Sequence, residues 1–409
     1  MPIETSVPGG TGGTAATGTA LASITDAGKS HFEVLDGLRG SAAFLIVVFH
    51  AFNYTFDFQG PWALVPHAYL AVDFFFALSG FVIGYAYDER WPALTTRRFL
   101  ALRLIRLHPM VVVGASLGLA VYLLDPHAPA SNHTPASMLL LAYLTSLLLL
   151  PSPPVGGRPD ESQALNGPAW SLTQEYLGNL AYVLALRRLR ASGLAAVFVI
   201  AGAGLAWAAC RMGSLEGGWD YPKMWMAPLR LATSFVLGLW LYRIRGCIRL
   251  PRLGMLPLSL LLLACFQAPA LIGLGNGVAG GLYDAACVLL LFPVIVLCGA
   301  HSQVGARMLA ACRLAGRLSY PLYATHIGLV YMLAHFARQH GPAGPAQLPA
   351  VVATIVAALI VAWLLLVYVD EPVRAWLKRR LGAPGRSHIS QNRSGFWLRF
   401  DLAADCVPY

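Results

Sequence analysis

Stretches of about 20 apolar residues, nearly free of charge, recur along this chain. Inside hydrocarbon every backbone N–H and C=O must find a partner within its own segment or within a closed barrel, so runs of this length read as helices. They fall at about 35–56, 68–87, 107–124, 168–186, 192–210, 225–242, 254–274, 280–300, 319–337 and 349–369. One more run, about 137–150, is short for a span and fits a re-entrant or interfacial helix. Composition agrees. The chain is 57% hydrophobic and 12% charged, against about 25% charged in soluble domains, which leaves too few charges to cover a water-exposed surface. The expected fold is an all-α polytopic membrane bundle of about ten transmembrane helices plus the one short helix, occupying residues 33–381.

Loop charges orient the bundle. If 137–150 does not cross and the N-terminus is cytoplasmic, the inside holds Arg90, Arg97, Arg98, Arg103 and Arg106, then Arg187, Arg188 and Arg190. The same side holds the arginines between 243 and 252 and between 307 and 317, and the cluster from Arg374 to Arg380. The other side holds only Arg158, Arg211, Lys223 and Arg338. Every connection then obeys the positive-inside rule, and both termini are cytoplasmic. Letting 137–150 cross would put three basic clusters on the wrong side. The net charge of +10 is thereby accounted for by cytoplasmic loops, with no basic-aromatic pattern calling for nucleic acid.

Residues 1–32, rich in Gly, Thr, Ala and Ser, read as a flexible cytoplasmic leader without the basic and apolar regions of a signal peptide. Residues 382–409 read as a cytoplasmic tail. The seven cysteines show no CxxC and no Cys/His spacing of a zinc site, and no metal is expected.

Ionisable residues inside apolar runs are costly and mark function. In the first run Arg39 and His50 are eleven residues apart, which puts them on nearly one face of a helix and roughly 16 Å apart along its axis. Taken singly, Arg39 reads as a snorkelling anchor and His50 as a ring hydrogen-bonded across helices. Asp73 in the second run either partners His50 or holds an N-terminal turn, while Ser79-Gly80 suits close helix packing. Arg103 and Arg106, at i and i+3, share a face and suit phosphate recognition or, more blandly, topology and anionic lipid. Ser171 and Glu175 share a face, and Glu175 is a second candidate partner for His50. Arg230 and Asp284 lie toward the outer half, and His326 near the cytoplasmic start of its run. Charges at similar depth imply a polar cavity within the bundle.

Six motifs in one order carry a resemblance: LDGLRG with Arg39 and His50, VDFFFALSGFVI, RLIRLHP, GPAWSLTQE, AGRLSYPLYATH and YVDEPVR. Over roughly residues 33–381 the chain resembles the integral-membrane acyltransferase type 3 family. That resemblance implies transfer of an acyl group, commonly acetyl, from cytoplasmic acyl-CoA to a hydroxyl of a glycan, a glycolipid or a secondary metabolite, in the inner (plasma) membrane. It implies acyl-CoA as co-substrate, with no cofactor bound permanently. The family's essential Arg/His pair maps onto Arg39 and His50, its paired arginines onto Arg103 and Arg106, and its acid onto Glu175. Tyr176 stands where a second acid often follows. The appended SGNH-type domain of some members has no counterpart here, so acceptor chemistry is expected within the bundle.

The expected mechanism places Arg39, Arg103 and Arg106 on the donor. His50 is general base, or a transient acyl carrier. Glu175 or Asp73 orients the imidazole, and Tyr320 or His326 lines the cytoplasmic mouth. The rival is a transporter or proton-coupled flippase, which also needs buried charges around a cavity; the motifs and the lack of a visible inverted repeat weigh against it.

Overall fold

Apolar runs punctuated by Gly, Pro and arginine clusters become helices. The computed structural model describes residues 31–382 apart from 57–61, 63, 92–93, 131, 276 and 342–343. Nearly all of the predicted leader and tail lie outside the described residues. In chain order the helices are α1 (Glu33–Thr55), α2 (Ala71–Tyr87), α3 (Thr96–Leu124), α4 (Ala136–Leu147), α5 (Ala169–Leu184), α6 (Ala191–Met212), α7 (Met226–Ile244), α8 (Met255–Leu271), α9 (Val278–Ala286), α10 (Phe292–His301), α11 (Ala306–Gln339), α12 (Leu348–Leu365) and α13 (Glu371–Gly382). A π-turn joins α9 to α10 and another joins α12 to α13. Among the described residues there is no strand.

Among the described residues six helices are long and apolar enough to cross a membrane: Glu33–Thr55, Ala68–Tyr87, Thr96–Leu124, Ala191–Met212, Val278–His301 and Pro345–Leu381. Four further predicted spans form helices that fall short of that standard, for identifiable reasons. α5 has 16 residues and α8 has 17. α7 buries Arg230, Thr233 and Ser234, and α11 buries Ser319, Thr325 and His326, so polar groups enclosed by neighbours dilute their apolarity. The short run 137–150 forms α4, only 12 residues long.

Two helices outrun the apolar stretches that announced them. α3 starts at Thr96, where the Thr95 side chain caps the first turn by accepting from the Arg98 N–H at 3.2 Å, so the basic segment is helical too. α11 starts at Ala306, well before the predicted 319, and carries Pro321 in its interior.

Small residues set which helices touch. α1 makes its most extensive contact with α11, and α2 with α7. A Cβ on Gly40 would lie 2.7 Å from the Ala315 backbone. Gly80 and Gly238 are reciprocal: a Cβ on Gly80 would sit 2.0 Å from the Phe235 carbonyl oxygen, and one on Gly238 1.9 Å from that of Ala77. Backbones approach this closely only where the side chain is hydrogen, the usual route to tight helix packing in lipid. Both pairs run in the same direction: Arg39 then His50 meet Ser319 then His326, and Asp73 then Gly80 meet Arg230 then Phe235.

Candidate active site

Among the described residues, two cavities in the bundle share part of their lining. The first, about 110 Å³, is lined by Arg39 of α1, Ser79 of α2, Arg103 and Arg106 of α3, Glu175 of α5 and Tyr320 of α11. We call it the arginine chamber. Its guanidinium groups are held in place by the protein. Arg39 donates from Nε to Ser319 Oγ at 2.9 Å and from Nη2 to the Gly316 carbonyl at 2.8 Å, with Asp36 Oδ1 3.3 Å away. Arg103, almost fully buried, donates from Nη2 to Glu175 Oε1 at 2.7 Å, and Ser79 Oγ donates to the same oxygen at 2.7 Å. The predicted i, i+3 pair Arg103 and Arg106 does face one space. Tyr320 lines it too, its hydroxyl donating to the Leu107 carbonyl.

The second cavity, about 410 Å³, is lined by His50 and by Tyr54, Arg158, Glu161, Trp170 and Tyr331 among others. We call it the histidine chamber. His50 Nδ1 lies 2.9 Å from His326 Nε2, with the ring planes 20° apart. Tyr54 stands edge-on between His50 and Tyr331, with ring centroids 5.9 Å and 5.8 Å away. Glu161, in the loop before α5, accepts from the Tyr331 hydroxyl at 2.7 Å, and the Arg158 guanidinium sits 3.5 Å from the centre of the Tyr331 ring. Burial pushes the Glu161 carboxyl up to about 7, against the opposing pull of Arg158 and of the Tyr331 hydrogen bond.

Val72 and Tyr323 line both chambers and form the wall between them. The Tyr323 hydroxyl is 2.7 Å from Ser171 Oγ and 3.2 Å from the Pro168 carbonyl oxygen, and the edge of the ring meets Phe75 with centroids 5.6 Å apart. Arg39 and His50 therefore share one helix, as expected, but open into different chambers.

Three placements differ from expectation. Neither predicted carboxylate contacts His50 among the described residues. Glu175 is held by Arg103 on the far side of the wall. Asp73 is held by Arg230, whose Nη2 lies 2.5 Å from Asp73 Oδ2 and whose Nε reaches the same oxygen at 3.1 Å. A buried carboxylate gains more from a two-pronged guanidinium than from a neutral ring. Asp284 is likewise taken by the His67 ring at 2.7 Å, the Tyr69 hydroxyl at 2.7 Å and the Leu215 N–H at 2.8 Å, which clamp a loop. Third, His326 does not line the mouth beside Tyr320. It lies twenty residues into α11, completely buried against His50. Glu161 and Tyr331 did not stand out in the sequence, and Arg158 figured only as an outer-loop charge, because a loop residue gives no sign that a fold will bury it.

Among the described residues no group of three or more His, Cys, Asp or Glu side chains could hold a metal ion. Residues 32–367 match the family described as "Acyltransferase domain", its type 3 branch. A relative from Rhizobium radiobacter, "Protein 2 in picA locus", is 37% identical over 166 residues, covering 37% of this chain and 80% of the relative. No solved structure matches. The family match extends over nearly every described helix, both chambers included, and the chain belongs to the type 3 acyltransferase family of membrane proteins.

Proposed function

We propose that the protein is an O-acyltransferase that takes an acyl group, acetyl in the simplest case, from cytoplasmic acyl-CoA. The acceptor is a hydroxyl of a glycan, a glycolipid or a secondary metabolite. One observation carries this reading: a chamber lined by Arg39, Arg103 and Arg106 shares Val72 and Tyr323 with a chamber lined by His50. Coenzyme A is a polyanion with its thioester at the end of a long thin arm. Arg39, Arg103 and Arg106 suit its anionic or polar parts, Glu175 holds Arg103 in position, and the arm leads toward Val72 and Tyr323. On the other side His50 takes the proton from the acceptor hydroxyl as its oxygen attacks the thioester carbonyl. The carbon–sulfur bond breaks, and the proton ends on the departing thiol. In the covalent alternative the ring carries the acyl group itself before passing it on.

The topology that goes with this reading has about ten spans in the plasma (inner) membrane, both termini cytoplasmic, and the arginine chamber toward the cytoplasm. The directions of the packed pairs support it. With α4 not crossing, eight crossings separate α11 from α1 and four separate α7 from α2, so both pairs come out parallel, as they are. If α4 crossed, both would be antiparallel.

The test is acyl transfer by the full chain in proteoliposomes, following thiol release from acetyl-CoA and the acylated product by mass spectrometry. The acceptor is sought by comparing surface glycans and secreted metabolites of cells with and without the gene. We expect acyl-CoA-dependent product, and at least a 100-fold loss in His50→Ala with membrane insertion intact. Wild-type turnover in that variant would remove His50 from the chemistry. Solute flux with no thiol release would favour the transporter.

A further inference from the structure

His50 and His326 do more than touch: the line of hydrogen bonds between them has a direction. We infer that His326 is a positioning residue that fixes the tautomer of His50, placing the proton on Nδ1 and leaving the Nε2 lone pair for the reaction.

His326 Nδ1 lies 3.0 Å from the Leu322 carbonyl oxygen and 2.9 Å from that of Tyr323. Carbonyl oxygens only accept, so this nitrogen carries a hydrogen. His326 is 0% exposed, and among the described residues no carboxylate touches it. A second proton would leave a cation buried and unpaired, at high cost. The ring therefore holds one proton, and its Nε2 is a lone pair. That nitrogen faces His50 Nδ1 at 2.9 Å, so His50 Nδ1 must be the donor. A neutral imidazole has a single N–H, which leaves His50 Nε2 bare. Nε2 is the nitrogen an accepting or nucleophilic imidazole needs.

The arrangement does for His50 what a carboxylate does for many catalytic histidines, without placing a charge. A free neutral histidine keeps its proton mainly on Nε2, the wrong nitrogen for a base on that side. Two carbonyls of α11, relayed through one ring, reverse the preference. When His50 takes a proton from the acceptor hydroxyl, its Nδ1–H is already bonded, and neither ring has to turn.

The kinetic half of the test rests on the reading of His50 as base; the spectroscopic half does not. The full chain, labelled with 15N-histidine in lipid nanodiscs, is observed by NMR, and the His50 signals are identified by their loss in His50→Asn. We expect wild-type His50 to show a protonated Nδ1 and an unprotonated Nε2. His326→Ala should move the proton to Nε2, and His326→Gln, whose side-chain oxygen accepts, should return it to Nδ1. A protonated Nε2 in the wild type, or a tautomer unmoved by His326→Ala, overturns the inference whatever the enzyme does. In acyl transfer we expect kcat to fall at least tenfold in His326→Ala at unchanged KM for acyl-CoA, with partial recovery in His326→Gln. A raised KM at unchanged kcat overturns the positioning role. Where His326→Ala does not fold, the wild-type spectrum and His326→Gln still decide.

Discussion

Glu175 and Glu161 each line one of the two chambers, and their neighbours give them different parts. Glu175 holds Arg103 and Ser79 in the arginine chamber, the donor side on the proposed reading. Glu175→Gln should therefore raise KM for acyl-CoA several-fold and change kcat at saturation much less. A fall in kcat at unchanged KM would return the carboxylate to the chemical step. Glu161 lines the same chamber as His50, with its carboxyl raised from 4.5 to about 7 by burial. Between those two values the folded protein holds a proton that the unfolded chain has released, so stability is greatest below the window and falls as pH rises through it. The apparent Tm of the wild type should drop relative to Glu161→Gln from pH 5 to pH 8, with most of the change below about 7. A difference that stays flat with pH would mean the carboxyl titrates normally. At this scale the sequence showed which residues carry charge and, less reliably, how deep each lies, His326 and Glu175 being the exceptions. Depth along one helix does not determine rotation against its neighbours. Asp73 and Glu175 were expected on His50 and are found on Arg230 and Arg103 for that reason.

At the scale of helices, the approach of α2 to α7 depends on two glycines. Its two glycines are reciprocal, so a methyl on either collides with the other helix's carbonyl. Gly238→Ala should destabilise the protein by about 1–3 kcal/mol, the usual range for overpacking, and lower its apparent Tm in detergent. Gly246→Ala, where nothing lies within 4 Å of the added carbon, is the matched control and should change little. Equal behaviour of the two variants would mean that the helices separate at little cost. The elements themselves were largely legible. Each predicted run is a helix, and Ser79-Gly80 marked a close contact. The ends were less so, because hydropathy registers only the apolar part of a helix. The first thirteen residues of α11, with Arg307, Arg313 and Arg317 among them, looked like loop. The helix therefore begins earlier than its apolar run, and His326, expected at the mouth, lies twenty residues into it against His50.

Across the whole molecule, the proposed reaction has a donor half in one chamber and an acceptor half in the other, and on that proposal the side chains common to both have to keep water from completing it. A thioester that meets water instead of an acceptor gives a carboxylic acid and free thiol: water oxygen attacks the carbonyl carbon, the carbon–sulfur bond breaks, and a proton passes to sulfur. Only Val72 and Tyr323 are common to the linings of both spaces, and the Tyr323 ring is held by Ser171 and Phe75. Removing that ring joins about 110 Å³ to about 410 Å³. Tyr323→Ala should thus raise thiol release per acylated product at least several-fold over wild type. Tyr323→Phe keeps the ring and loses the hydroxyl that meets Ser171, so it should fall between them. Val72→Ala, which widens the wall on the α2 side, should shift the ratio in the same direction. Counting released thiol against acylated product in proteoliposomes reads this directly, because general misfolding lowers both quantities together and leaves their ratio alone. A ratio unmoved by Tyr323→Ala would mean that acceptor and thioester meet by a route that does not pass this wall.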